Sequence, residues 1–458
     1  MRMNWSDRKI LVVGAGISGF AAAELACKFG ADVVLSDAKQ EKEIQADFAP
    51  LRALGVELVF GPQSEALLNG VDAVILSPAV PVKIPLIQSA MKRGIRVLTE
   101  VELAQEMAES PILAVTGTNG KTTTTTLLSL LMQTVYGKEK TGLGGNIGVP
   151  LSKEALRVGP NGCIAAEISS FQMEATKHFH PHIAAVLNVT PDHILRHGSM
   201  EVYQAMKEKI FAEQTPNDYL VLNADDPRTR GMAERASSRI CFFSRREELE
   251  EGAFLKGDRL VIRWDGQDYP LCTVSELGIK GMHNVENALA ASAMAFLGGA
   301  ETQAMTKVLK SFRGVEHRIE FVRTLHGVAY YNDSKATNTD SAIKALLTFP
   351  GHIVLLAGGD DKMTDLTDFM KLIKERVDAL VLIGDAAMRF RNAAVEIGFP
   401  EEQIFAAGYS MPRAVELAYH LAKPESTVLL SPACASFDMY ENMAERGRDF
   451  KRLVNALK

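Results

Sequence analysis

The clearest chemistry in the chain lies between Ile112 and Thr126, in the sequence ILAVTGTNGKTTTTT. Its apolar first part predicts a buried strand, its glycines break that strand, and a Leu-rich helical pattern follows. Such a turn leaves backbone N–H groups free at a helix N-terminus, where anions bind. Lys121 adds a cation, and the hydroxyl of Thr122 or Thr123 can ligate Mg²⁺. The stretch therefore predicts a loop that binds nucleotide phosphates.

One residue departs from the usual P-loop motif, because Val115 occupies the place of its first glycine. The alternative interpretation is a Thr-rich helix start with a solvated lysine. The phosphate loop is favoured because a strand and a helix flank the turn, as the motif requires.

A second glycine turn lies near the N-terminus, where Gly14–Gly19 reads G-x-G-x-x-G after the apolar run Lys9–Val13. Asp37 follows about 20 residues on, at the end of a second strand pattern, as in dinucleotide-binding folds. Taken alone, this arrangement predicts an oxidoreductase that binds NAD. The turn Ser77–Pro81 follows a further strand pattern, where open parallel sheets bind their ligands.

Strand and helix patterns alternate along the chain and predict an α/β protein with three domains. We expect residues 1–100 to form a Rossmann-like domain, residues 101–314 a P-loop ATPase-like domain with a parallel sheet, and residues 315–458 a second Rossmann-like α/β domain. The glycine-rich stretch 142–148 predicts a loop, and a hairpin is expected around residues 260–274.

Polar clusters follow several of the predicted strands. They are Glu167–Ser170, Asn188–His193 and Asn223–Asp226 in the central domain, and Asn332–Asn338 and Gly358–Lys362 in the last domain. Because the carboxyl ends of parallel strands share one edge of a sheet, we expect these clusters at the edges where ligands bind.

Composition limits the possible partners. The 458 residues carry a net charge of −6 with no long basic run, so no nucleic-acid partner is expected. The five cysteines are widely spaced without a C-x-x-C pair, which indicates buried thiols in a reducing cytoplasm. No apolar run is long enough to span a bilayer, so no membrane association is expected. We expect a cytoplasmic monomer that acts on small molecules.

Several stretches of the chain resemble the Mur ligases of peptidoglycan synthesis, and this resemblance covers essentially the whole chain. The stretches are TGTNGKTT at 116–123, GGNIG at 144–148, EISSFQ at 167–172, NVTPDH at 188–193, HNVENALAA at 283–291, HR at 317–318, NDSKATN at 332–338 and SPACASFD at 431–438. The last two are the narrower pair. They favour the member of the family that adds D-glutamate over its sister ligases.

This resemblance implies ATP-dependent amide-bond formation in cytoplasmic peptidoglycan precursor synthesis. ATP phosphorylates the terminal carboxylate of UDP-N-acetylmuramoyl-L-alanine, and the amine of D-glutamate attacks the acyl phosphate. A tetrahedral intermediate then collapses to the amide, ADP and phosphate. Phosphorylation supplies a leaving group, provided that metal ions and lysines offset the charge between two anions. The rival of another class is a P-loop nucleotide switch without ligase chemistry.

The resemblance also reassigns the N-terminal glycine turn, because the first domain of this family binds the uridine diphosphate of the substrate. Nicotinamide is then not implied. The residues implied at the uridine and the pyrophosphate are Gly14, Ile17, Ser18, Asp37 and Ser77. Two residues, Asn146 and His193, are implied at the carboxylate end of the same substrate.

For ATP, the resemblance implies residues from the phosphate loop and from two later parts of the chain. They are Gly117, Thr118, Asn119, Gly120, Lys121, Thr122 and Thr123 at the phosphates, Asn284 and Asn287 near the adenine, Arg318 towards the phosphates and Asp333 towards the ribose. From the residues alone, capping of the following helix is a nearly equal interpretation of the two asparagines.

Two Mg²⁺ sites are implied, one at Thr122 and Glu167 and the other at His193 and Lys207. Oxygen ligands at a strand end suit Mg²⁺, although lone strand-end glutamates also cap helices. Lys207 is implied to be carbamylated by CO₂, which turns a cation into an anionic oxygen ligand, whereas its spacing alone favours a solvated helix lysine. The family has an aspartate at the place of Leu195, which leaves the groups around the metal ligands open.

A dicarboxylic amino acid needs cations and hydroxyls for its carboxylates. The residues implied for D-glutamate are Lys335, Thr337, Lys362, Ser436 and Phe437. The implied catalytic residues are Lys121, His193, Lys207 and Arg318. Because ligands are divided among three domains, we expect domain closure to assemble the site.

Overall fold

The structure is a computed structural model that describes residues 5–44, 46–192, 194–361 and 363–458, with the backbone alone of Leu195. The chain divides into two compact units. The first contains the residues up to Leu277 together with Val285–Ser311, and the second contains Gly278–Asn284 together with Phe312–Lys458. Among the described residues the strands form three sheets, two in the first unit and one in the second.

The first sheet lies near the N-terminus and is parallel throughout. Its strands are β1 (Lys9–Val13), β2 (Asp32–Asp37), β3 (Glu57–Phe60), β4 (Ala73–Leu76) and β5 (Arg96–Thr99), in the order β3-β2-β1-β4-β5. The helices are α1 (Ile17–Lys28), α2 (Ala49–Ala53) and α3 (Pro85–Lys92), with 3₁₀ turns at Glu41–Glu43 and Glu65–Leu68. In the central strand β1 the residues from Ile10 to Val13 are buried, as their continuous apolar sequence ILVV predicts.

The second sheet carries the phosphate loop. Its strands are β6 (Ile112–Thr116), β7 (Thr141–Gly145), β8 (Cys163–Glu167), β9 (Ile183–Val186), β10 (Tyr219–Asn223), β11 (Arg239–Ser244), β12 (Gly252–Lys256), β13 (Arg259–Trp264) and β14 (Gln267–Thr273). Their order is β14-β13-β12-β11-β10-β9-β6-β8-β7, and the pairs β12–β13 and β13–β14 are antiparallel whereas the others are parallel. The hairpin expected near residues 260–274 is β13–β14.

Helices accompany this sheet along the chain. They are α4 (Glu100–Met107), α5 (Lys121–Tyr136), α6 (Leu151–Arg157), α7 (Ser170–Met173), α8 (Ile194–His197), α9 (Met200–Glu208), α10 (Pro227–Arg230), a 3₁₀ turn at Gly231–Arg235, α11 (Met282–Leu297) and α12 (Thr302–Ser311). Glu102 of α4 accepts the N–H groups of Thr99, Lys177 and His178 at 2.8–2.9 Å. This buried carboxylate therefore ties the end of the first sheet to the segment that leads into β9.

The stretch 142–148 differs from the expected loop, because its first part belongs to the edge strand β7. This strand pairs in parallel with β8. Glycine suits the strand because neighbours pack closely: a Cβ at Gly142 would lie 2.9 Å from Glu154 Oε2 and 3.1 Å from the Ile164 side chain. These glycines reflect close packing onto the sheet as well as backbone freedom.

The sheet of the second unit begins with an antiparallel pair, and its remaining pairs are parallel. Its strands are β15 (Glu320–Leu325), β16 (Val328–Asn332), β17 (Ile353–Gly358), β18 (Val377–Ile383), β19 (Ile404–Gly408) and β20 (Thr427–Leu430), in the order β15-β16-β20-β17-β18-β19. The helices are α13 (Thr339–Thr348), α14 (Thr367–Arg376), α15 (Ala387–Glu396), α16 (Met411–Leu421) and α17 (Met443–Ala456), with a 3₁₀ turn at Glu401–Gln403. Because β20 lies between β16 and β17, the segments that follow these three strands meet at one edge.

Two further expectations concern the whole chain. The five cysteines are free thiols, and all except the half-buried Cys27 are buried, as their apolar surroundings predict. Among the described residues no helix combines the length and the apolar character needed to cross a membrane.

Asp218, directly before β10, is a buried carboxylate that joins several parts of the first unit. Its oxygens accept the Thr215 N–H at 2.8 Å, the His180 Nε2–H at 2.7 Å and the His182 Nδ1–H at 3.1 Å. The side chain is 7% exposed. Burial raises the pKa of Asp218, but the hydrogen bonds outweigh burial and lower the pKa to about 2.

This lowered pKa predicts a pH-dependent contribution to stability. The ionised carboxylate stabilises the fold above about pH 4, and the contribution is lost as the pH falls through about 2. We expect Asp218→Asn to lower the free energy of unfolding by about 2 kcal/mol at neutral pH, with a difference that shrinks below about pH 4. Urea unfolding of both proteins across this range is the measurement. An equal loss from Asp258→Asn, which changes an exposed aspartate, or a difference independent of pH would contradict the assignment.

Candidate active site

The loop predicted to bind phosphates connects β6 to α5, at the carboxyl end of a central strand. Gly117 and Gly120 have φ angles of +152° and +84°, which side chains with a Cβ rarely adopt. A Cβ at Gly120 would also lie 2.2 Å from Asn287 Oδ1. Lys121 Nζ donates to the carbonyls of Gly117 and Thr118, each at 2.8 Å, so the ammonium is held against the loop.

Residues that follow β9 brace this loop. Asn188 Oδ1 accepts the Asn119 N–H at 2.8 Å, and Asn188 Nδ2 donates to the Asn119 carbonyl at 3.1 Å. The Thr118 hydroxyl donates to the Thr190 carbonyl at 3.1 Å and accepts the Thr190 N–H at 3.0 Å. These bonds fix the loop in advance, so little reorganisation is needed when an anion binds.

Lys207 of α9 lies against the same loop with 1% of its surface exposed. Its Nζ donates to the Gly117 carbonyl at 2.8 Å and lies 4.3 Å from the centre of the Tyr203 ring. Burial lowers the pKa of Lys207 well below its ordinary value, the charge of Lys121 lowers it further, and Asp192 opposes both effects. This burial excludes the interpretation of Lys207 as a solvated helix lysine.

Glu167 ends β8, the strand beside β6. Its Oε1 accepts the Asn146 Nδ2–H at 2.8 Å, and its backbone carbonyl accepts the Asn146 N–H at 2.8 Å. The residue is 3% exposed, and Oε2 has no hydrogen-bond partner among the described residues. A buried carboxylate oxygen without a partner is unfavourable, so this position fits a cation. With the Thr122 hydroxyl in the first turn of α5, the oxygen donors suit Mg²⁺.

A separate cavity of 390 Å³ opens at the carboxyl edge of the first sheet. Gly14, Asp37, Gln63 and Val80 are among the residues that line it. The Ala15 N–H donates to Asp37 Oδ2 at 2.8 Å and so fixes the carboxylate against the glycine turn. An apolar cavity with a few oriented polar groups is the usual form of a small-molecule site.

The other residues predicted at this substrate lie beside the cavity lining. Ser77 is buried, and a Cβ at Gly14 would lie 2.8 Å from Ser77 Cβ, so the serine packs closely against the glycine turn. Ile17 is 75% exposed and Ser18 is half-buried, and both lie in the first turn of α1. Neither is among the residues that line the cavity.

In the second unit, Asp333 follows β16 and is buried. Its Oδ1 accepts the Ile319 N–H at 3.1 Å, and its Oδ2 accepts the Ser431 hydroxyl at 2.8 Å. Burial raises the pKa of Asp333 to about 7, and the positive charge of Arg318 opposes that rise. Arg318 Nε has no hydrogen-bond partner among the described residues.

The residues predicted to bind the amino acid follow adjacent parallel strands, β16 and β20. Lys335 and Thr337 are half-buried in the segment after β16. In the segment after β20, Ser436 is buried and Phe437 is 71% exposed. These four residues therefore share one sheet edge. Two further predicted residues, Lys362 and His193, lie outside the described residues.

Two asparagines of α11 complete the predicted set. Asn284 Nδ2 donates to the Lys280 carbonyl at 2.7 Å, a local contact at the start of the helix. Asn287 Oδ1 accepts the Thr124 hydroxyl at 3.3 Å, which joins α11 to α5 behind the phosphate loop.

Sequence reasoning assigned no role to Asn188, Tyr203 or Arg446. The first two had a signal: Asn188 begins the polar cluster after β9, and Tyr203 lies one helical turn before Lys207. Arg446 had none, because it is one of many charged residues in a helix with a polar outer face.

Three protein-family models match consecutive parts of the chain. They are the Mur ligase MurD-like N-terminal domain at residues 8–99, the Mur ligase middle domain at residues 115–295, and the Mur ligase glutamate ligase domain at residues 317–434. The phosphate loop falls in the second match, and the segments after β16 and β20 fall in or directly beside the third.

Curated proteins similar to the chain extend over its full length. A protein of Caldanaerobacter subterraneus subsp. tengcongensis is 43% identical over 456 residues, and one of Pelotomaculum thermopropionicum is 45% identical over 458 residues. In both comparisons the match covers 100% of each chain. Both proteins are named UDP-N-acetylmuramoylalanine--D-glutamate ligase.

Solved structures share the fold at lower identity. UDP-N-acetylmuramate-alanine ligase from Thermotoga maritima has a TM-score of 0.61 at 22% identity, covering 98% of this chain and 100% of its own. A pseudomurein peptide ligase type C from Methanothermus fervidus has a TM-score of 0.61 at 18% identity, with the same coverage.

The contact between Gly145 and Glu167 predicts the effect of one methyl group at the site. Gly145 has a φ of +98°, and a Cβ there would lie 2.3 Å from the Glu167 carbonyl oxygen. We expect Gly145→Ala to cost roughly 2 kcal/mol of stability and to displace Glu167, because strain and overlap add. Thermal unfolding and turnover are the measurements.

Gly148→Ala is the matched control, because Gly148 also has a positive φ, +59°, but a Cβ there would meet nothing within 4 Å. We expect it to retain turnover. If both variants lose turnover equally, the displacement of Glu167 is not the cause.

Proposed function

The chain belongs to the Mur ligase family, and we propose that it adds D-glutamate to UDP-N-acetylmuramoyl-L-alanine in an ATP-dependent reaction of cytoplasmic peptidoglycan precursor synthesis. The names of its full-length relatives support this choice of substrates. The segments NDSKATN and SPACASFD support it independently, because they provide hydroxyls and a cation at one sheet edge.

One observation carries the enzymatic part of the proposal. Lys121 and Lys207 both lie against the loop that follows β6. Glu167, whose Oε2 has no hydrogen-bond partner among the described residues, ends the adjacent strand β8. The ammonium group of Lys121 offsets the repulsion between ATP and a substrate carboxylate, and Glu167 provides a metal ligand. A fold that only binds nucleotide has no need of a lysine buried beneath its phosphate loop.

In the proposed reaction, the loop N–H groups and Lys121 hold the phosphates of ATP, and Arg318 contributes a further cation. The carboxylate of the UDP-linked substrate attacks the terminal phosphorus, and ADP leaves. The amine of D-glutamate then attacks the acyl carbon and loses a proton, and the tetrahedral intermediate releases phosphate. The chain positions the reactants and neutralises charge, which is how enzymes mainly accelerate phosphoryl transfer.

Mg²⁺ is part of the proposal. Thr122 and Glu167 would hold one ion, and His193 with a carbamylated Lys207 would hold a second. When bound, the ions would neutralise negative charge on the phosphate oxygens. Carbamylation joins CO₂ to a neutral amine and releases a proton, and the lowered pKa of Lys207 favours that neutral form of the amine.

The two other substrates are assigned to separate sheet edges. For the uridine diphosphate we propose the cavity lined by Gly14 and Asp37, with Ser77 behind it and the first turn of α1 beside it. A helix N-terminus with free N–H groups favours the pyrophosphate. Asn146 donates a hydrogen bond to Glu167, the proposed metal ligand beside the phosphate loop. It would therefore contact the carboxylate end of this substrate, where the reaction takes place.

For D-glutamate we propose Lys335, Thr337, Ser436 and Phe437, together with Lys362. A lysine ammonium and hydroxyls suit two carboxylates, and the exposed Phe437 ring would cover the aliphatic part. For ATP we propose Asn284 and Asn287 near the adenine and Asp333 towards the ribose. We further propose that the enzyme is a cytoplasmic monomer without a nucleic-acid partner, in keeping with its net charge of −6.

A panel of amino acids tests this proposal. We expect phosphate release from ATP with D-glutamate and UDP-N-acetylmuramoyl-L-alanine together, and little release when either is omitted. L-Glutamate tests stereochemistry and D-aspartate tests chain length, and both are expected to be poor substrates. Preference for another amino acid would indicate a sister ligase, and release without either substrate would indicate a nucleotide switch.

A further inference from the structure

Arg446 is a guanidinium buried inside the second unit. It projects from α17, and only 1% of the residue is exposed. It ranks among the largest fully buried side chains of the described chain. A buried charge is unfavourable unless its donors are satisfied, so its partners indicate why it is tolerated.

Those partners belong to two segments that follow neighbouring strands. Arg446 Nε donates to the Ser334 hydroxyl at 2.9 Å, and Nη2 donates to the Ser334 carbonyl at 2.9 Å. Nη2 also donates to the Cys434 carbonyl at 3.0 Å, and Nη1 donates to the Ala435 carbonyl at 2.8 Å. One rigid planar group therefore joins the segment after β16 to the segment after β20.

A third segment, which follows β17, packs against the guanidinium of Arg446 and one of its acceptors. The Asp360 N–H donates to the Ala435 carbonyl at 3.1 Å. A Cβ at Gly359, which has a φ of +131°, would lie 2.4 Å from that carbonyl oxygen and 3.0 Å from Arg446 Nη1. The backbone can therefore pass the guanidinium only as glycine.

The hydrogen-bond acceptors that surround Arg446 in the described part of the chain are neutral groups. Among the described residues, no carboxylate forms a hydrogen bond or an ion pair with the guanidinium, because its acceptors are carbonyls and a hydroxyl. Burial lowers the pKa of Arg446 to about 10, so the group stays protonated at neutral pH. Asp438 and Asp333 offset part of this charge, since both oppose the effect of burial on the pKa of Arg446. The positive charge that is left favours an anion at the surrounding sheet edge.

The contacts of Arg446 lie directly beside two residues of the proposed amino-acid site. Ser334 precedes Lys335, and Ala435 precedes Ser436. We propose that Arg446 is a positioning residue for the dicarboxylic amino acid, because it fixes the separation of Lys335 and Ser436 and adds positive potential to their sheet edge. This inference rests on the proposed function, in which that edge binds D-glutamate.

The test compares Michaelis constants of substitution variants of the full chain. Arg446→Lys keeps the charge but cannot hold all of these acceptors, and we expect about a tenfold rise in the KM for D-glutamate with smaller changes in the KM values for ATP and the UDP-linked substrate. Ser334→Ala removes one acceptor and should raise the same KM by a smaller factor. The second variant keeps the test valid where the first does not fold.

Two controls separate positioning from general stability. Arg323 donates to the carbonyls of Val454, Asn455 and Leu457 at 3.1–3.4 Å, at the other end of α17. We expect Arg323→Lys to leave all three KM values unchanged. For Arg446→Ala, guanidinium ion at a non-denaturing concentration should lower the KM for D-glutamate, whereas sodium chloride at equal ionic strength should not.

A failure of this inference can be distinguished from a failure of the proposed function. If the unmodified protein turns over with another amino acid, the assignment of D-glutamate is wrong, and the Arg446 comparison is made with the KM of that amino acid. Folded Arg446 variants with an unchanged amino-acid KM would overturn the positioning role. Equal rises in the KM values for ATP and the amino acid, without rescue by guanidinium, would overturn it as well.

Discussion

Two lysine side chains converge on one backbone oxygen, and the arrangement of the phosphate site depends on this contact. Lys121 and Lys207 both donate to the Gly117 carbonyl at 2.8 Å, from the end of the loop and from beneath it. Two ammonium groups this close repel each other, and Lys207 has almost no access to water. The two lysines can lie this close if Lys207 is neutral or if bound anions balance the two positive charges. Asn188 holds the loop in place, and Glu167 Oε2 has no hydrogen-bond partner among the described residues. Both features fit a site that binds phosphates and metal ions.

Strand order explains how distant parts of the sequence form these sites. In the second sheet β6 lies between β9 and β8, so the loop, its brace and Glu167 are neighbours although they are separated along the chain. In the second unit β20 lies between β16 and β17, and the segments that follow the three strands meet on Arg446. Both sites thus use the carboxyl ends of parallel strands, where the free N–H groups and polar side chains of open α/β sheets collect.

Much of the fold could be predicted from the sequence, because continuous apolar runs such as Lys9–Val13 and Ile353–Gly358 form buried parallel strands. The α/β class, the three domains and membership in the Mur ligases are confirmed. The half-exposed strands Glu57–Phe60 and Glu320–Leu325 were not predicted, since the apolar run of the first is only three residues long and the second mixes apolar with charged and polar residues.

The candidate site divides in the same way. Local motifs predicted the phosphate loop, whereas the burial of Lys207 and the role of Arg446 depend on tertiary packing that no spacing reveals. The glycines of β7 misled the sequence interpretation, because they reflect close contact with α6 and with the neighbouring strand β8. Domain boundaries and individual ligand contacts stay predictions. The most direct test of the account is ¹³C NMR of the active, Mg²⁺-bound enzyme equilibrated with ¹³C-bicarbonate. The account predicts a protein-bound carbamate signal that is absent from Lys207→Arg, and an active enzyme without that signal would contradict it.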